Sequence, residues 1–316
     1  MRDVFLNHLT FALGSQSRSV EEAERLGSLS SSAVALSESG FRKHHVAATG
    51  ESAYDLAKSA LEPIRKHLKD TGAIIYATCL PTSTTMSDLD AFRASRDVKC
   101  LMDFPASHLQ ADFGLDRAVP FGLHQQACTG MLGSLGVARA FLLADSALTQ
   151  VLCLTADRFP EGALYEQSYN LVTDGAAACV VGAAPGPFRL LGWHGVTNGA
   201  LARASDDEVV GSFFSYTHRV IQEALAKYGL AVKDLAWIVP QNMNVAAWQV
   251  LAKLLGLPPE RVAYPSLPDV GHMVSGDNIV NLKMLHEAGT FRPGDKIALA
   301  TAGYGLHWHC VLLEAM

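Results

Sequence analysis

Short apolar runs alternate with helical patterns along this chain, the arrangement of a layered α/β fold whose sheets are covered by helices. AIIYATC (73–79), QVLCLTA (150–156), AACVVGA (177–183), WIVPQ (237–241), KIALATA (296–302) and HCVLLEA (309–315) read as strands. Several are apolar at successive positions, as burial on both faces requires. ESAYDLAKSALEPIRKHL (51–68), MLGSLGVARAFLLAD (131–145) and HRVIQEALAKYGL (218–230) carry the spacing of helices. Two stretches recur in similar context, TDGAAACVVGAAPG near the middle and AGYGLHWHCVLLEAM at the end, each following a glycine turn. Between them APGPFRLLGW has Pro and Gly where a linker would sit. The pattern predicts a duplicated α/β unit, with halves at 1–185 and 186–316.

Composition narrows the class. Hydrophobic residues make up 49% of the chain and charged residues 18%, a globular balance. No basic segment followed by a long apolar stretch opens the chain, and no apolar run reads as long enough to span a bilayer. The expectation is a cytoplasmic protein with no membrane partner. A net charge of −6 argues against nucleic acid, which demands a concentrated basic surface. The cysteines at 79, 100, 128, 153, 179 and 310 form no Cys-x-x-Cys pair, so neither a metal site nor a disulfide framework is expected.

One cysteine stands apart. In FGLHQQACTGMLGSLGVARAFLLAD, Cys128 leads directly into an apolar helix. Backbone N–H groups and the helix dipole favour a thiolate there, which makes the sulfur an acyl acceptor. A cysteine in an apolar run ordinarily just packs; its place at a helix start, with Gly130 and Gly133 beside it, sets this one apart.

The ordered stretches SGFRKHHVAATGESAYDLA, QQACTGMLGSLGVARAFL, VLCLTADRF, LVTDGAAACVVG and GTFRPGDKIALATAGYGLHWHCVLL resemble the ketoacyl synthase III family, from about residue 34 to the C-terminus. The resemblance implies the thiolase fold, a duplicated five-layered α-β-α-β-α arrangement, in a homodimer. It implies an acyl thioester, on acyl carrier protein or coenzyme A, as the donor to Cys128, and no bound cofactor.

Family members pair the cysteine with a His in V-P-H-x-x-N and an Asn in a later G-N motif. Here Val239-Pro240-Gln241-Asn242-Met243-Asn244 places Gln241 at the first position, and Gly271-His272 places His272 at the second. The set is Cys-Gln-His. Both side chains can donate hydrogen bonds to a developing oxyanion, and His272 can also act as general base toward an alcohol or amine. Asp277 is a candidate to orient His272, although five residues along a helix make about 500° of turn, so the two need not face each other. Asn242, Asn244, Gly305 and His307 are further candidates for support. The loop Thr301–Gly305 lacks the second cysteine that thiolases use as base.

Family members that load from coenzyme A hold its adenine with a Trp and an Arg, and an Arg beyond V-P-H-x-x-N seats the carrier protein. Here Val34, Glu38 and Ala246 take those places, which tilts the donor toward a carrier-bound acyl group through other contacts. Phe159, Tyr165 and Tyr169 fall where the family lines its acyl tunnel. His124 reads as structural, and His44 with His45 as a surface turn beside Arg42. Three functions compete: acyl transfer to a small-molecule acceptor in specialised metabolism, Claisen condensation with a malonyl-type extender, and a silent partner subunit of a heterodimeric synthase. The intact nucleophile motif disfavours the last.

Overall fold

The computed structural model describes residues 2–167, 170–304 and 306–316. Its main sheet has nine strands, β1 (Phe5–Leu13), β2 (Ala73–Ala77), β3 (Val119–Leu123), β4 (Gln150–Asp157), β5 (Gly175–Gly182), β6 (Phe188–Thr197), β7 (Leu235–Pro240), β8 (Lys296–Gly303) and β9 (His307–Ala315). Their order is β7-β8-β9-β6-β1-β5-β4-β2-β3. Strands β2, β3 and β4 run parallel, as do β7 and β8. The same series of pairings, parallel then antiparallel then antiparallel, runs through β2-β4-β5-β1 and through β7-β8-β9-β6. The two series meet at β1 and β6, which pair at Phe5 with Arg189 and Leu6 with Phe188.

The helices that cover the sheet include α1 (Ala53–Leu61), α2 (Gly130–Ala144), α3 (Asp206–Lys227), α4 (Val245–Leu255) and α5 (Asp277–Glu287). Strand alternation sorts side chains into separate cores. Val151 and Cys153 of β4 join Leu132 and Leu135 of α2, Ile279 and Leu282 of α5, and Leu299 and Val311 of β8 and β9 in a central core. Leu152 and Leu154 face the other way, onto Leu56 and Ala60 of α1. On the far side Ala298 and Leu312 meet Val220 and Ile221 of α3 and Trp248 of α4. Helix, one half of the sheet, helix pair, the other half of the sheet and helix are thus stacked in five layers, the thiolase fold.

Several elements depart from the expected ones. Phe5–Leu13, unassigned by pattern, is a central strand, and its neighbour Phe188–Thr197 takes in most of the stretch 184–193 expected as a linker. Residue 186 lies in the short connection between β5 and β6. Helix α3 begins at Asp206, well before the expected His218, where Ser205 and Glu208 form a capping box. The segment Ala127–Ala144 is long and apolar enough to cross a membrane, contrary to expectation, but half of it is buried inside the fold. It is a core helix. His44 does not lie in a surface turn: it is in the strand Lys43–Val46 and fully buried, its Nδ1 bonded to Val172 O.

Candidate active site

The loops that follow the parallel strands converge, as ligand sites in α/β folds generally do at the carboxyl ends of strands. Cys79 follows β2, Cys128 follows β3, Asp157 ends β4 and Gln241 follows β7. Cys79, Cys128, Gln241, Asn244 and His272 line one cavity of about 710 Å³. Phe159, Phe213, Phe214, Val250 and Trp308 make much of the remaining wall apolar and aromatic.

Cys128 sits in a single 3₁₀ turn, Ala127–Thr129, that feeds α2. Ala127, immediately before it, has φ of 43°, a left-handed conformation costly for a residue with a Cβ. Ser275 Oγ donates to Ala127 O at 2.9 Å and helps hold that bend. Val274, beside Ser275, also has φ of 43°. Two strained residues, one near the nucleophile and one near His272, are therefore tied together across the site.

Gly271 explains how His272 reaches the cavity. Its φ is 76°, and a Cβ there would lie 2.7 Å from Leu171 O. Only glycine lets the backbone pass so closely, and His272 then pairs with the neighbouring segment, His272 N to Leu171 O at 2.7 Å and Thr173 N to His272 O at 2.9 Å.

Asp277 is the first residue of α5 rather than a residue on one helix with His272, so the expected 500° separation does not apply. The intervening bend folds His272 back, and its Nδ1–H donates to Asp277 Oδ2 at 2.5 Å. Asp277 also accepts from Asn242 N at 2.7 Å and Met273 N at 2.6 Å. Burial pushes the Asp277 carboxyl up from its ordinary value, and the charge of His272 and these three donors work against that rise. Burial works to lower the pKa of His272, but the charge and hydrogen bond of Asp277, with further contributions from Cys128, push it up to about 10. With Nδ1 occupied, Nε2 is the nitrogen left for the sulfur.

The Cys128 thiol is held well below its ordinary value. The Cys79 thiol bonds to its sulfur, and His272 and the Tyr304 N–H add to this, together outweighing burial. Cys79 is affected oppositely: its bond to Cys128, its burial and the nearby Cys128 and Asp157 keep it protonated.

Gln241 Oε1 accepts from Ala302 N at 2.6 Å and from Thr301 Oγ1, which orients the amide and leaves its NH₂ to serve the cavity. Trp248 anchors the same residue by donating to Gln241 O at 3.0 Å. Asn242 is buried beneath: it donates to Ser266 Oγ and Gly271 O and accepts from Asn281, bracing the His272 loop. Asn244 lines the cavity but caps α4, accepting from Ala246 N. His307 is not among the lining residues; its Nδ1 pairs with Thr197 Oγ1 at 2.8 Å. Gly305 and Tyr169 lie outside the described residues. Phe159 lines the cavity, whereas Tyr165 is buried apart from it and donates to Asp174 at 2.8 Å. Val34 is 66% exposed, and His124 is exposed too. Cys79 and Asp157 were not among the residues expected at the site; their signal is their position at the carboxyl ends of the parallel strands β2 and β4.

The 3-oxoacyl-(acyl-carrier-protein) synthase III model matches residues 124–199, and the model of that family's C-terminal region matches residues 225–315, together more than half of the chain. A beta-ketoacyl-(acyl-carrier-protein) synthase III from Rhizorhabdus wittichii is 29% identical over 297 residues, covering 85% of this chain and 86% of the relative. The acyltransferase ChlB3 superposes with a TM-score of 0.81 at 20% identity, covering 99% of this chain and 98% of its own. The synthase III of Thermus thermophilus gives 0.79 at 23% identity, covering 99% of both chains. At these identities the two superpositions establish fold alone. Taken with the family models, they place this chain in the thiolase superfamily, as a ketoacyl synthase III-like transferase.

Proposed function

We propose that this protein is an acyltransferase that takes an acyl group from a thioester onto Cys128 and passes it to an alcohol or amine. The observation that carries the reading is the buried hydrogen bond from His272 Nδ1 to Asp277. An oxyanion donor needs no carboxylate behind it, whereas a general base gains basicity and a fixed tautomer from one.

In the resting enzyme the Cys128 proton resides on His272, giving a thiolate beside an imidazolium. The thiolate attacks the donor carbonyl, and the carbonyl π electrons move to the oxygen; Gln241 NH₂ and backbone N–H groups near Cys128 and Tyr304 are the donors available to it. Collapse breaks the bond to the departing thiolate, which takes the proton from His272. Acylation removes the negative sulfur, so one source of His272 basicity disappears and the ring stands neutral. It then accepts the proton of the incoming hydroxyl or amine, whose oxygen or nitrogen attacks the thioester and regenerates the thiolate.

The apolar walls and the roughly 710 Å³ of space fit an apolar acyl group larger than acetyl. Exposed Val34 and Glu38 offer neither an aromatic face nor a cation to an adenine, which favours a carrier-protein donor. We place the protein in the cytoplasm, a reducing compartment in which a thiolate nucleophile is kept from oxidation. Strand β3 ends the sheet with Val119 and Phe121 exposed, an edge suited to pairing with a second copy. We place the reaction in specialised metabolism because Gln241 and His272 depart from the usual synthase pair.

The test loads the enzyme with a radiolabelled acyl group and offers either a panel of alcohols and amines or malonyl-carrier protein. Ester or amide formation without carbon dioxide release supports transfer. Carbon dioxide release with a β-ketoacyl product would establish condensation instead, with Gln241 and His272 stabilising an enolate.

A further inference from the structure

We propose that Cys79 is a positioning residue: its S–H donates to the Cys128 sulfur and holds that sulfur as a thiolate facing the cavity. The inference rests on the reading of Cys128 as nucleophile and adds a residue to that site. The two cysteines line the same cavity, although they are far apart in sequence.

The turn that carries Cys79 is tightly built. Asp157 Oδ1 accepts from Thr78 Oγ1 at 2.6 Å, from Cys79 N at 2.8 Å and from Leu80 N at 3.1 Å. Thr84 Oγ1 donates to Thr78 Oγ1 at 3.0 Å behind it. A buried carboxyl spent on three bonds within one turn fixes where the Cys79 side chain points. The opposing backbone is equally close: a Cβ on Gly130 would lie 3.0 Å from Ala77 Cβ, so the end of β2 and the start of α2 approach without a side chain between them. That approach brings the two sulfurs together.

The direction of the hydrogen bond follows from the neighbours. His272 and the Tyr304 N–H act on Cys128 and make it the sulfur that holds negative charge. Cys79 faces Cys128 and the Asp157 carboxyl, and neither favours a second thiolate. The proton therefore stays on Cys79, which donates. The ionisable groups acting on Cys128 are His272, Cys79 and Asp157, with Asp277 acting through His272.

The experiment measures Cys128 alkylation by iodoacetamide from pH 5 to 10, located by peptide mass spectrometry, in wild type, Cys79→Val, Cys79→Ala and Cys79→Ser. Val keeps the volume without a donor, Ala covers the case in which Val does not fold, and Ser keeps a donor. The expected result is an upward shift of the profile in Val and Ala, with the rate at pH 6.5 reduced about ten- to hundredfold, the scale of one hydrogen bond to a charged group. Ser should stay within about twofold of wild type if donation is what matters. Superimposable profiles in folded wild type and Val, or a Ser profile that follows Val, would overturn the proposal. Acyl loading of the wild-type enzyme, measured in parallel by intact mass, tests the nucleophile reading separately: normal loading with unshifted profiles rejects Cys79 alone.

Discussion

Replacing Asp277 with Asn is the substitution whose consequences the geometry specifies most fully. Asp277 Oδ2 receives both His272 Nδ1–H and Asn242 N–H, while Oδ1 receives Met273 N–H. If the amide oxygen keeps Met273, the new NH₂ group faces two donors. His272 can relieve its own conflict only by moving the proton to Nε2, which leaves no lone pair to accept from the acceptor alcohol. Asn242 N–H has no such escape. Leaving one or two buried groups unpaired costs about 1–3 kcal/mol each, so a loss of roughly 2–5 kcal/mol in stability is expected. Loss of the base in the correct tautomer should slow transfer by about 10²–10⁴-fold. The assay is single-turnover transfer from pre-formed acyl-enzyme, run at a temperature where circular dichroism shows the variant folded. Transfer within about threefold of wild type, well short of the expected loss, would refute the role given to the His272–Asp277 pair.

Other outcomes follow from the same geometry. Loading should hold a plateau through neutral pH, because Cys128 is depressed below ordinary thiols and His272 is raised to about 10. It should fall in acid as the thiolate is protonated, and in alkali as His272 loses the proton owed to the leaving thiol. A stopped-flow rate that climbs continuously through pH 9 would contradict this. Gly271→Ala places a Cβ 2.7 Å from Leu171 O at φ of 76°; thermal unfolding should show a loss of about 1–3 kcal/mol or more. Its transfer rate should fall because His272 shifts, and wild-type stability and rate in this variant would negate the account of the loop. Ala247→Phe fills part of the apolar cavity. Competition between short and long acyl thioesters should move toward the short one, and an unchanged ratio would mean that the acyl group lies elsewhere.

Local pattern carried much of this structure. The buried strands at 150–157 and 296–303 and the helix after Cys128 are written in short apolar runs, and the nucleophile in the residues around it. Reading failed where context is long-range. The stretch 184–193 looks like a linker because Pro185, Gly186 and Pro187 open it, yet from Phe188 onward it is held by β9 across the sheet. His44 looks exposed beside Arg42 and Lys43, but strand alternation turns it inward while its neighbours face out. The Asp277 contact was discounted by assuming one helix through 272–277, whereas Gly271 and the left-handed Val274 bend the chain before the helix begins. Cys79 and Asp157 meet Cys128 only because three loops converge at strand ends, an arrangement absent from any window of sequence.

The most direct test of the central claim is intact-protein mass spectrometry of wild type and Cys128→Ala after incubation with acyl thioesters on carrier protein and on coenzyme A. The account predicts a mass increase equal to one acyl group in wild type, largest with the carrier-bound donor and absent from the variant. An increase that survives in Cys128→Ala, or no increase with any donor, would contradict it.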